Sequence, residues 1–190
     1  MDIFKTSLKL LAITVIAAAL LGAVNSITKP VIAENDKAAR ELAMAEVLPG
    51  LSGVSFSDEI ETGNASGVTS YFIASNAGDD CYVMFVTTQG DQGLMTCAVG
   101  IDGEGMILGV KLVSHNETPG LGANAANPEF LVQYADKKGP FTVVKAQAVS
   151  SNEIEAVSSA TNTSKGVTEA VNAALEFLRV NGLSAKDKSN

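Results

Sequence analysis

The feature that most restricts how this chain can fold is a long apolar segment close to its N-terminus. The segment reads LLAITVIAAALLGAVNSI from Leu10 to Ile27 and has a lysine on each side. Its length is about that of a helix that crosses a lipid bilayer, roughly 17–25 residues. A cleaved signal peptide is the alternative, but no Ala-x-Ala cleavage site lies directly after the run. We therefore predict an N-terminal tail and transmembrane anchor in residues 1–33 and one domain in residues 34–190.

The basic residues around this segment do not decide its orientation. Lys5 and Lys9 precede it, whereas Lys29, Lys37 and Arg40 follow it, so neither side has a clear excess of positive charge. The short N-terminal tail is typical of a signal anchor, which places the following domain outside the cytoplasm. We therefore predict a single-pass protein of the cell (inner) membrane with the bulk of the chain on the extracytoplasmic side.

The composition excludes several functional classes. The chain has 190 residues with 13 Lys and Arg against 21 Asp and Glu, which gives a net charge of −8. A nucleic-acid-binding protein needs a basic surface that neutralises phosphates, so we predict no nucleic-acid partner. One His and two Cys are too few for a zinc ribbon or an iron–sulfur cluster, and we predict no metal site.

The remaining pattern predicts an α+β domain, an antiparallel sheet flanked by helices. Apolar residues at helical spacing predict a helix over residues 31–48 that ends at Pro49-Gly50. Four β-like runs with short turns between them follow, and this close spacing favours antiparallel pairing. The predicted strands are Val68–Ser75, Cys81–Thr88, Leu94–Ile101 and Met106–Val113. The predicted elements after them are a loop (Ser114–Asn127), a short helix (Glu129–Ala135), a strand (Phe141–Val149) and an amphipathic helix that spans Val167–Leu178 and ends at Asn181-Gly182.

The two cysteines are predicted to be separate buried thiols. If the turn Gly90–Gly93 closes a hairpin, Cys81 lies opposite about Asp102, which is about five residues from Cys97. The separation is then about 17 Å at ~3.3 Å per residue, whereas a disulfide needs Cα atoms within about 7 Å of each other. A disulfide would require a different strand register.

A cluster of hydroxyl side chains precedes the last predicted helix. The segment Val157–Gly166 reads VSSATNTSKG. Free backbone N–H groups and the positive end of the helix dipole make such a helix start a natural phosphate site. The alternative is that these side chains only cap the helix. Spacing alone favours the capping interpretation, because Ser and Thr clusters are common at helix starts.

Part of this cluster resembles a flavin-attachment motif. Residues Ser158–Thr163 read SSATNT and are similar to the S-G-A-T-x-T motif of the FMN-binding subunits of Rnf electron-transport complexes (RnfG) and of Na⁺-translocating NADH:quinone reductases (NqrC). In that family a flavin transferase esterifies the last Thr of S-G-A-T to the FMN phosphate, so the resemblance implies a covalent FMN on Thr161. Ser159 replaces the Gly of the motif, and Glu155 stands in place of its usual Asp. The resemblance also implies that the neighbouring residues Ser158, Ser159, Ala160 and Thr163 belong to the cofactor site.

A second motif of the same family lies in the long loop. His115–Gly122 reads HNETPGLG and is similar to the H-x-E-T-P-G-L-G loop of the flavin-bearing domain. Pro119-Gly120 marks a turn, and the glycines let the backbone approach a ligand closely. His115 has no second His or nearby Cys for a metal site, so we interpret it as a polar loop residue. The resemblance implies that the loop residues Glu117, Thr118, Gly120 and Leu121 contact the flavin.

Both motifs occur in the order that the family has, and the similarity extends over nearly the whole chain. The resemblance implies an electron-carrier subunit of an Rnf-type ion-translocating oxidoreductase, which couples electron transfer between ferredoxin and NAD to Na⁺ or H⁺ transport. It implies FMN as the cofactor, the other Rnf subunits and a flavin transferase as partners, and no catalytic residue in this chain. The length of 190 residues fits RnfG better than the longer NqrC.

Three alternative functions are weighed against this interpretation. The first is the NqrC role in a Na⁺-translocating NADH:quinone reductase. The second is a non-redox, membrane-anchored extracytoplasmic module in which Ser158–Ser164 only caps a helix. The third, a secreted hydrolase that uses Ser158 or Ser159, is disfavoured because the G-x-S-x-G elbow is missing and the only His lies in another loop.

Overall fold

The first helix of the computed structural model, α1, is uninterrupted from Asp2 to Glu46. The structure describes residues 2–51, 53–76 and 79–183. They form two compact units, one that ends at Ala39 and one that begins at Arg40. The last turns of α1 therefore belong to the second unit.

The continuity of α1 corrects the prediction of two separate elements, an apolar segment from Leu10 to Ile27 and a helix over residues 31–48. Ser26 and Thr28 donate their hydroxyl groups to carbonyl oxygens one turn earlier, so their polarity is satisfied within the helix. Pro30 lacks an N–H group and removes one backbone hydrogen bond. The segment after it is rich in Ala and Glu and consists mainly of strong helix formers, which continue the same helix.

The N-terminal part of α1 is long and apolar enough to cross a membrane, judged by length and composition. An 18-residue window has a mean hydropathy of 2.3, and none of that window is buried within the structure. Large apolar side chains such as Leu11, Ile16 and Leu21 are exposed along it. Such a surface is stable in hydrocarbon and costly in water, which agrees with the predicted anchor.

The second unit is built on one antiparallel sheet of six strands. The strands are β1 (Ser55–Phe56), β2 (Ile60–Ala65), β3 (Val68–Asn76), β4 (Asp79–Gln89), β5 (Leu94–Asp102) and β6 (Ile107–Ser114). They lie in the order β1-β3-β4-β5-β6, and β2 also pairs with β3. The four predicted strands correspond to β3–β6, and their antiparallel pairing is confirmed. The sequence did not predict β1, which is only two residues long, or β2, in which Gly63-Asn64 is typical of a turn.

The other elements follow the sheet in the chain. They are a 3₁₀ helix (Gly122–Ala126), α2 (Pro128–Leu131), a 3₁₀ turn (Val132–Tyr134), β7 (Thr142–Val144), β8 (Glu153–Glu155) and α3 (Thr161–Val180). The predicted helix Glu129–Ala135 is thus a turn of α-helix followed by a 3₁₀ turn. The predicted strand Phe141–Val149 shortens to β7, which pairs in parallel with the unpredicted β8. The Glu153 carboxylate explains the shortening, because it accepts the N–H groups of Val149 and Ser150 and holds that segment in a turn.

Alternating side chains of β4 face two separate cores on opposite sides of the sheet. Tyr82, Met84 and Val86 lie in the core that includes α3, whereas Val83 and Phe85 lie in the core that includes the end of α1. This alternation has the period of two that is expected for a strand. The sheet is therefore covered on both faces, which explains why β4 is apolar along almost its whole length.

The chain just after α1 approaches the sheet through a notch formed by two glycines. Gly100 of β5 pairs with Gly109 of β6. A Cβ atom on Gly100 would lie 2.1 Å from the carbonyl oxygen of Val47, and one on Gly109 would lie 2.9 Å from the Cα atom of Val47. Only glycine at both positions permits this contact between two backbones.

The positions of the cysteines agree with the prediction. Cys81 pairs with Asp102, whereas Cys97 pairs with Val86, so the two thiols are distant from each other along the hairpin. Within the described residues neither cysteine forms a disulfide, and both are buried. Burial raises the pKa of the Cys97 thiol to about 12, and this thiol therefore stays protonated at physiological pH.

Candidate flavin site at the start of helix α3

Helix α3 begins at Thr161, so the hydroxyl cluster lies at a helix start. The residue before it is Ala160, and no side chain caps this end of the helix. The first N–H group with an acceptor one turn back is that of Ser164, which donates to the Ala160 carbonyl at 2.8 Å. In the part of the chain that the structure describes, the N–H groups of Thr161, Asn162 and Thr163 have no acceptor. These free donors and the positive end of the helix dipole can bind an anion.

A cavity of about 320 Å³ lies at this helix start. Three segments form its walls: the turn between β4 and β5, the loop after β6 and the first turn of α3. Its volume lies at the low end of the range for ligand pockets, roughly 300–1,000 Å³. The lining residues are Asp91, Gln92, Glu117, Thr118, Leu121, Gly122, Ser159, Ala160, Thr161, Asn162 and Thr163.

The cavity brings the two motif segments together, although they are distant in the sequence. The predicted site residues that line it are Glu117, Thr118, Leu121, Ser159, Ala160, Thr161 and Thr163. Ser158 and Gly120 do not line it. Sequence reasoning missed Asp91 and Gln92, because the only signal there was the Gly-containing turn between two strands. The pairing of β4 with β5 is what carries this turn to the cavity.

Glu117 is buried at the centre of the site, and the protein itself occupies both of its carboxylate oxygens. The backbone N–H of Asp91 donates to Oε1 at 2.7 Å, and that of Gln92 donates to the same oxygen at 3.3 Å. The Thr163 hydroxyl donates to Oε2 at 3.0 Å. The N–H of Glu117 donates to Nδ1 of His115 at 3.3 Å, which gives that histidine a local structural role.

Two glycines leave the space that this carboxylate occupies. A Cβ atom on Gly122 would lie 2.0 Å from Oε2 of Glu117, and one on Gly90 would lie 2.2 Å from Oε1. The missing side chain of Gly122 therefore makes room for Glu117, a role that the sequence did not predict for this glycine. Gly120 has a φ of +77°, which glycine adopts more easily than other residues, and open space surrounds it.

Asp91 connects the turn between β4 and β5 directly to α3. The side-chain amide of Asn162 donates to Oδ1 of Asp91 at 2.8 Å, and the side chain of Gln92 donates to Oδ2 at 2.8 Å. The hydrogen bond from Asn162 and then that from Gln92 lower the pKa of Asp91, so the carboxylate is ionised at neutral pH. Because this group is exposed, the contact orients the turn more than it stabilises the fold.

Ser159 has a φ of +67°, in the left-handed region that favours glycine. This is the position where the family motif has Gly. We expect Ser159→Gly to raise the free energy of unfolding by about 0.5–1 kcal/mol, because the gain from relieved strain exceeds the entropic cost of glycine. Thermal unfolding of the full chain in detergent, followed by circular dichroism, measures this difference.

The neighbouring substitution Ser158→Gly is the matched control, because Ser158 is equally exposed and has no positive φ. It is expected to lower stability by up to about 1 kcal/mol through unfolded-state entropy alone. Equal effects of the two substitutions would contradict strain at Ser159.

Comparison with known proteins identifies the class to which this fold and cavity belong. Residues 90–176 match the family model of the FMN-binding domain, and residues 1–47 match that of the RnfG N-terminal region. The chain is 32% identical to the G subunit of the proton-translocating ferredoxin:NAD(+) oxidoreductase complex of Clostridium ljungdahlii, over 92% of this chain and 91% of the relative. It is 31% identical to the G subunit of the Na(+)-translocating ferredoxin:NAD(+) oxidoreductase complex of Acetobacterium woodii, over 92% of this chain and 90% of the relative. The chain belongs to the RnfG family of ion-translocating oxidoreductase complexes.

Solved structures of NqrC proteins have a similar fold. The C subunit of the Na(+)-translocating NADH-quinone reductase of Parabacteroides distasonis matches with a TM-score of 0.50 and 28% identity, over 58% of this chain and 61% of that chain, which is less than two thirds of its length. NqrC of Shewanella oneidensis matches with a TM-score of 0.50 and 18% identity, over 77% of this chain and 73% of that chain. The predicted fold class, an N-terminal apolar helix followed by an antiparallel-sheet domain with helices, is confirmed.

Proposed function

We propose that this chain is a membrane-anchored electron carrier of an Rnf-type complex and that it holds FMN through a phosphoester on Thr161. The observation that carries the proposal is the cavity at the start of α3, where Thr161 is half-buried beside three N–H groups that have no acceptor among the described residues. A phosphate suits that place, because free donors and the helix dipole favour an anion. The match of residues 90–176 to an FMN-binding domain supports the same cofactor.

The residues around the cavity fit the two ends of FMN. The start of α3 offers backbone donors to the phosphate, and the small side chains of Ser159 and Ala160 leave room for it. Thr118 and Leu121 are exposed at the rim, where they would cover one face of the ring system. When bound, the flavin ring supplies the electron-transfer chemistry, and this chain supplies its position and surroundings.

Attachment needs an activated flavin and a flavin transferase as partner. In the step that we propose, Oγ1 of Thr161 forms a bond to the flavin-side phosphorus of a flavin dinucleotide that the transferase holds. The pyrophosphate bond breaks, a nucleoside monophosphate leaves and the hydroxyl proton passes to a base of the transferase. The chain then gains the mass of FMN less one water, and it needs no acid or base of its own.

A covalent tether suits a carrier that works outside the cytoplasm. We propose that residues 34–190 lie on the extracytoplasmic side and that residues 1–33 anchor them in the membrane. A diffusible cofactor lost there could not be replaced from the cytoplasmic pool. The other members of the complex would supply and accept the electrons, with the ferredoxin and NAD(+) couple that the names of both relatives state.

The test is the intact mass of the full chain after coexpression with a flavin transferase. Wild type is expected to gain FMN less one water and to fluoresce as a flavoprotein after denaturation. Thr161→Ala is expected to lose at least about 99% of this modification, because the acceptor oxygen is gone. Thr161→Ser is the matched control, since it keeps a hydroxyl at the same place and is expected to retain part of the modification.

A wild-type chain of unmodified mass beside an active transferase would contradict the proposal and support the non-redox anchored module. Modification that persists in Thr161→Ala would place the ester on another hydroxyl. Copurification with a ferredoxin-oxidising protein distinguishes the RnfG role from the NqrC role.

A further inference from the structure

One buried carboxylate connects all three walls of the cavity. We propose that Glu117 is a positioning residue whose hydrogen bonds hold the turn Gly90–Gly93 against the start of α3 and so set the geometry of the phosphate site before a cofactor arrives. The identity of the ligand rests on the proposed function. The positioning itself concerns only residues of this chain.

The contacts of Glu117 support positioning rather than direct ligand binding. Oε1 accepts two backbone N–H groups of the turn, those of Asp91 and Gln92, and Oε2 accepts the hydroxyl of Thr163 in the first turn of α3. Both oxygens therefore serve the protein, and the group joins two segments that are far apart in the sequence.

The space around the carboxylate restricts it to one place. Gly90 lies on the side of Oε1 and Gly122 on the side of Oε2, and a Cβ atom at either position would overlap the oxygen. The backbone at these two glycines therefore cannot approach the carboxylate more closely, and neither position can hold a residue larger than glycine. The loop, the turn and the helix start are therefore fitted around this one side chain.

Other contacts also join helix α3 to the end of β4 and to the turn after it. The hydroxyl of Thr88 donates to the carbonyl oxygen of Gly166 at 3.1 Å, and Asn162 donates to Asp91 at the cavity rim. A Cβ atom on Gly166 would lie 2.4 Å from the carbonyl oxygen of Gln89, so the end of β4 touches the backbone of α3. Glu117 is the buried member of this series, and it belongs to the loop after β6.

The donors around Glu117 also explain how an acid can lie beside an anion site. Three hydrogen-bond donors point at the carboxylate and offset its negative charge at short range. In the described residues, the N–H groups of Thr161 and Asn162 have no acceptor and stay available for a phosphate. The pattern of hydrogen bonds, rather than the charge, is therefore the property that the site requires of residue 117.

The test compares Glu117→Ala with Glu117→Gln in the unmodified full chain in detergent micelles, by amide hydrogen exchange. In Glu117→Ala we expect the amides of residues 91 and 92 to exchange at least about tenfold faster, because they lose a charged acceptor. Glu117→Gln keeps one oxygen for these amides and an NH₂ group that can donate to Thr163, so exchange is expected within about threefold of wild type. Glu129→Ala, an exposed carboxylate on α2, is the control and is expected to change neither amide.

The same variants are then coexpressed with a flavin transferase and the initial rate of mass gain is measured. We expect this rate to fall at least about tenfold in Glu117→Ala and to stay close to the wild-type rate in Glu117→Gln. If Glu117→Ala does not fold, Thr163→Val replaces it, because that change removes only the Oε2 hydrogen bond. It is expected to speed exchange of the Ser164 amide, which donates to the Ala160 carbonyl, and unchanged exchange of that amide would overturn the proposal.

Wild-type exchange in Glu117→Ala would overturn the proposal, since the turn would then hold its place without the carboxylate. Equal defects in Glu117→Ala and Glu117→Gln would also overturn it, because charge would then be the required property. Faster exchange in Glu117→Ala beside a wild-type chain that takes up no flavin would refute the proposed function and leave the positioning role supported.

Discussion

Gly122→Ala is expected to lower the free energy of unfolding by about 3–5 kcal/mol and to prevent flavin attachment. The new Cβ atom would lie 2.0 Å from Oε2 of Glu117 and 2.9 Å from Oγ1 of Thr163. A small shift of the carboxylate cannot relieve this contact, because Gly90 limits the space on its other side. The carboxylate must therefore leave its place and abandon the donors that now surround it. Denaturant unfolding followed by circular dichroism, together with intact mass after coexpression with the transferase, measures both effects.

The matched control for this change is Gly120→Ala, two residues earlier in the same loop. Apart from the two adjacent residues, no atom of the described part of the chain lies within 4 Å of a Cβ at this position, and the φ of Gly120 is +77°. The substitution is expected to cost about 1–2 kcal/mol through backbone conformation alone and to leave flavin attachment intact. Similar losses in the two variants would show that Gly122 is needed for its conformation and not for the space that it leaves.

The second large effect is expected for Gly100→Ala in the glycine notch of the sheet. The Cβ atom would lie 2.1 Å from the carbonyl oxygen of Val47, and trimming the Val47 side chain cannot relieve a contact with its backbone. We expect a loss of at least about 3 kcal/mol in the free energy of unfolding. We also expect faster amide hydrogen exchange in residues 43–51, because this segment has to lift from the sheet.

Gly105→Ala is the control for the notch, because it lies in the turn that joins the same two strands. Gly105 has a φ of +81° and open space around its Cβ position, so the expected cost is about 1–2 kcal/mol without faster exchange in residues 43–51. Unchanged exchange of that segment in Gly100→Ala would contradict the direct contact of the two backbones.

The sequence was sufficient for those parts of the fold that depend on local pattern. The period of two in β3–β6 and the short turns between them predicted the strands and their antiparallel pairing. The register of Cys81 with Asp102 followed from the turn alone. The apolar part of α1 was predicted from its run of apolar residues, but the continuation of the helix past Pro30 depended on the helix formers after the proline, which outweighed one lost hydrogen bond.

The parts that were missed depend on contacts between distant segments. Strand β8 is three residues long and forms only because β7 lies beside it. Asp91 and Gln92 reach the cavity through the β4–β5 pairing, and no local pattern marks them. Glu117 was predicted from the family motif as a flavin contact. Its hydrogen bonds to the turn and to Thr163 join segments that are distant in the sequence, so the sequence alone could not predict them.

The placement of the two cysteines has a consequence for the compartments in which this chain can fold. Cys81 and Cys97 belong to the two different cores, so the sheet itself stands between them, and both are buried. Oxidising compartments link thiols that are exposed or adjacent, and these are neither. The folded domain therefore forms no disulfide between these two cysteines, in an oxidising compartment or in a reducing one.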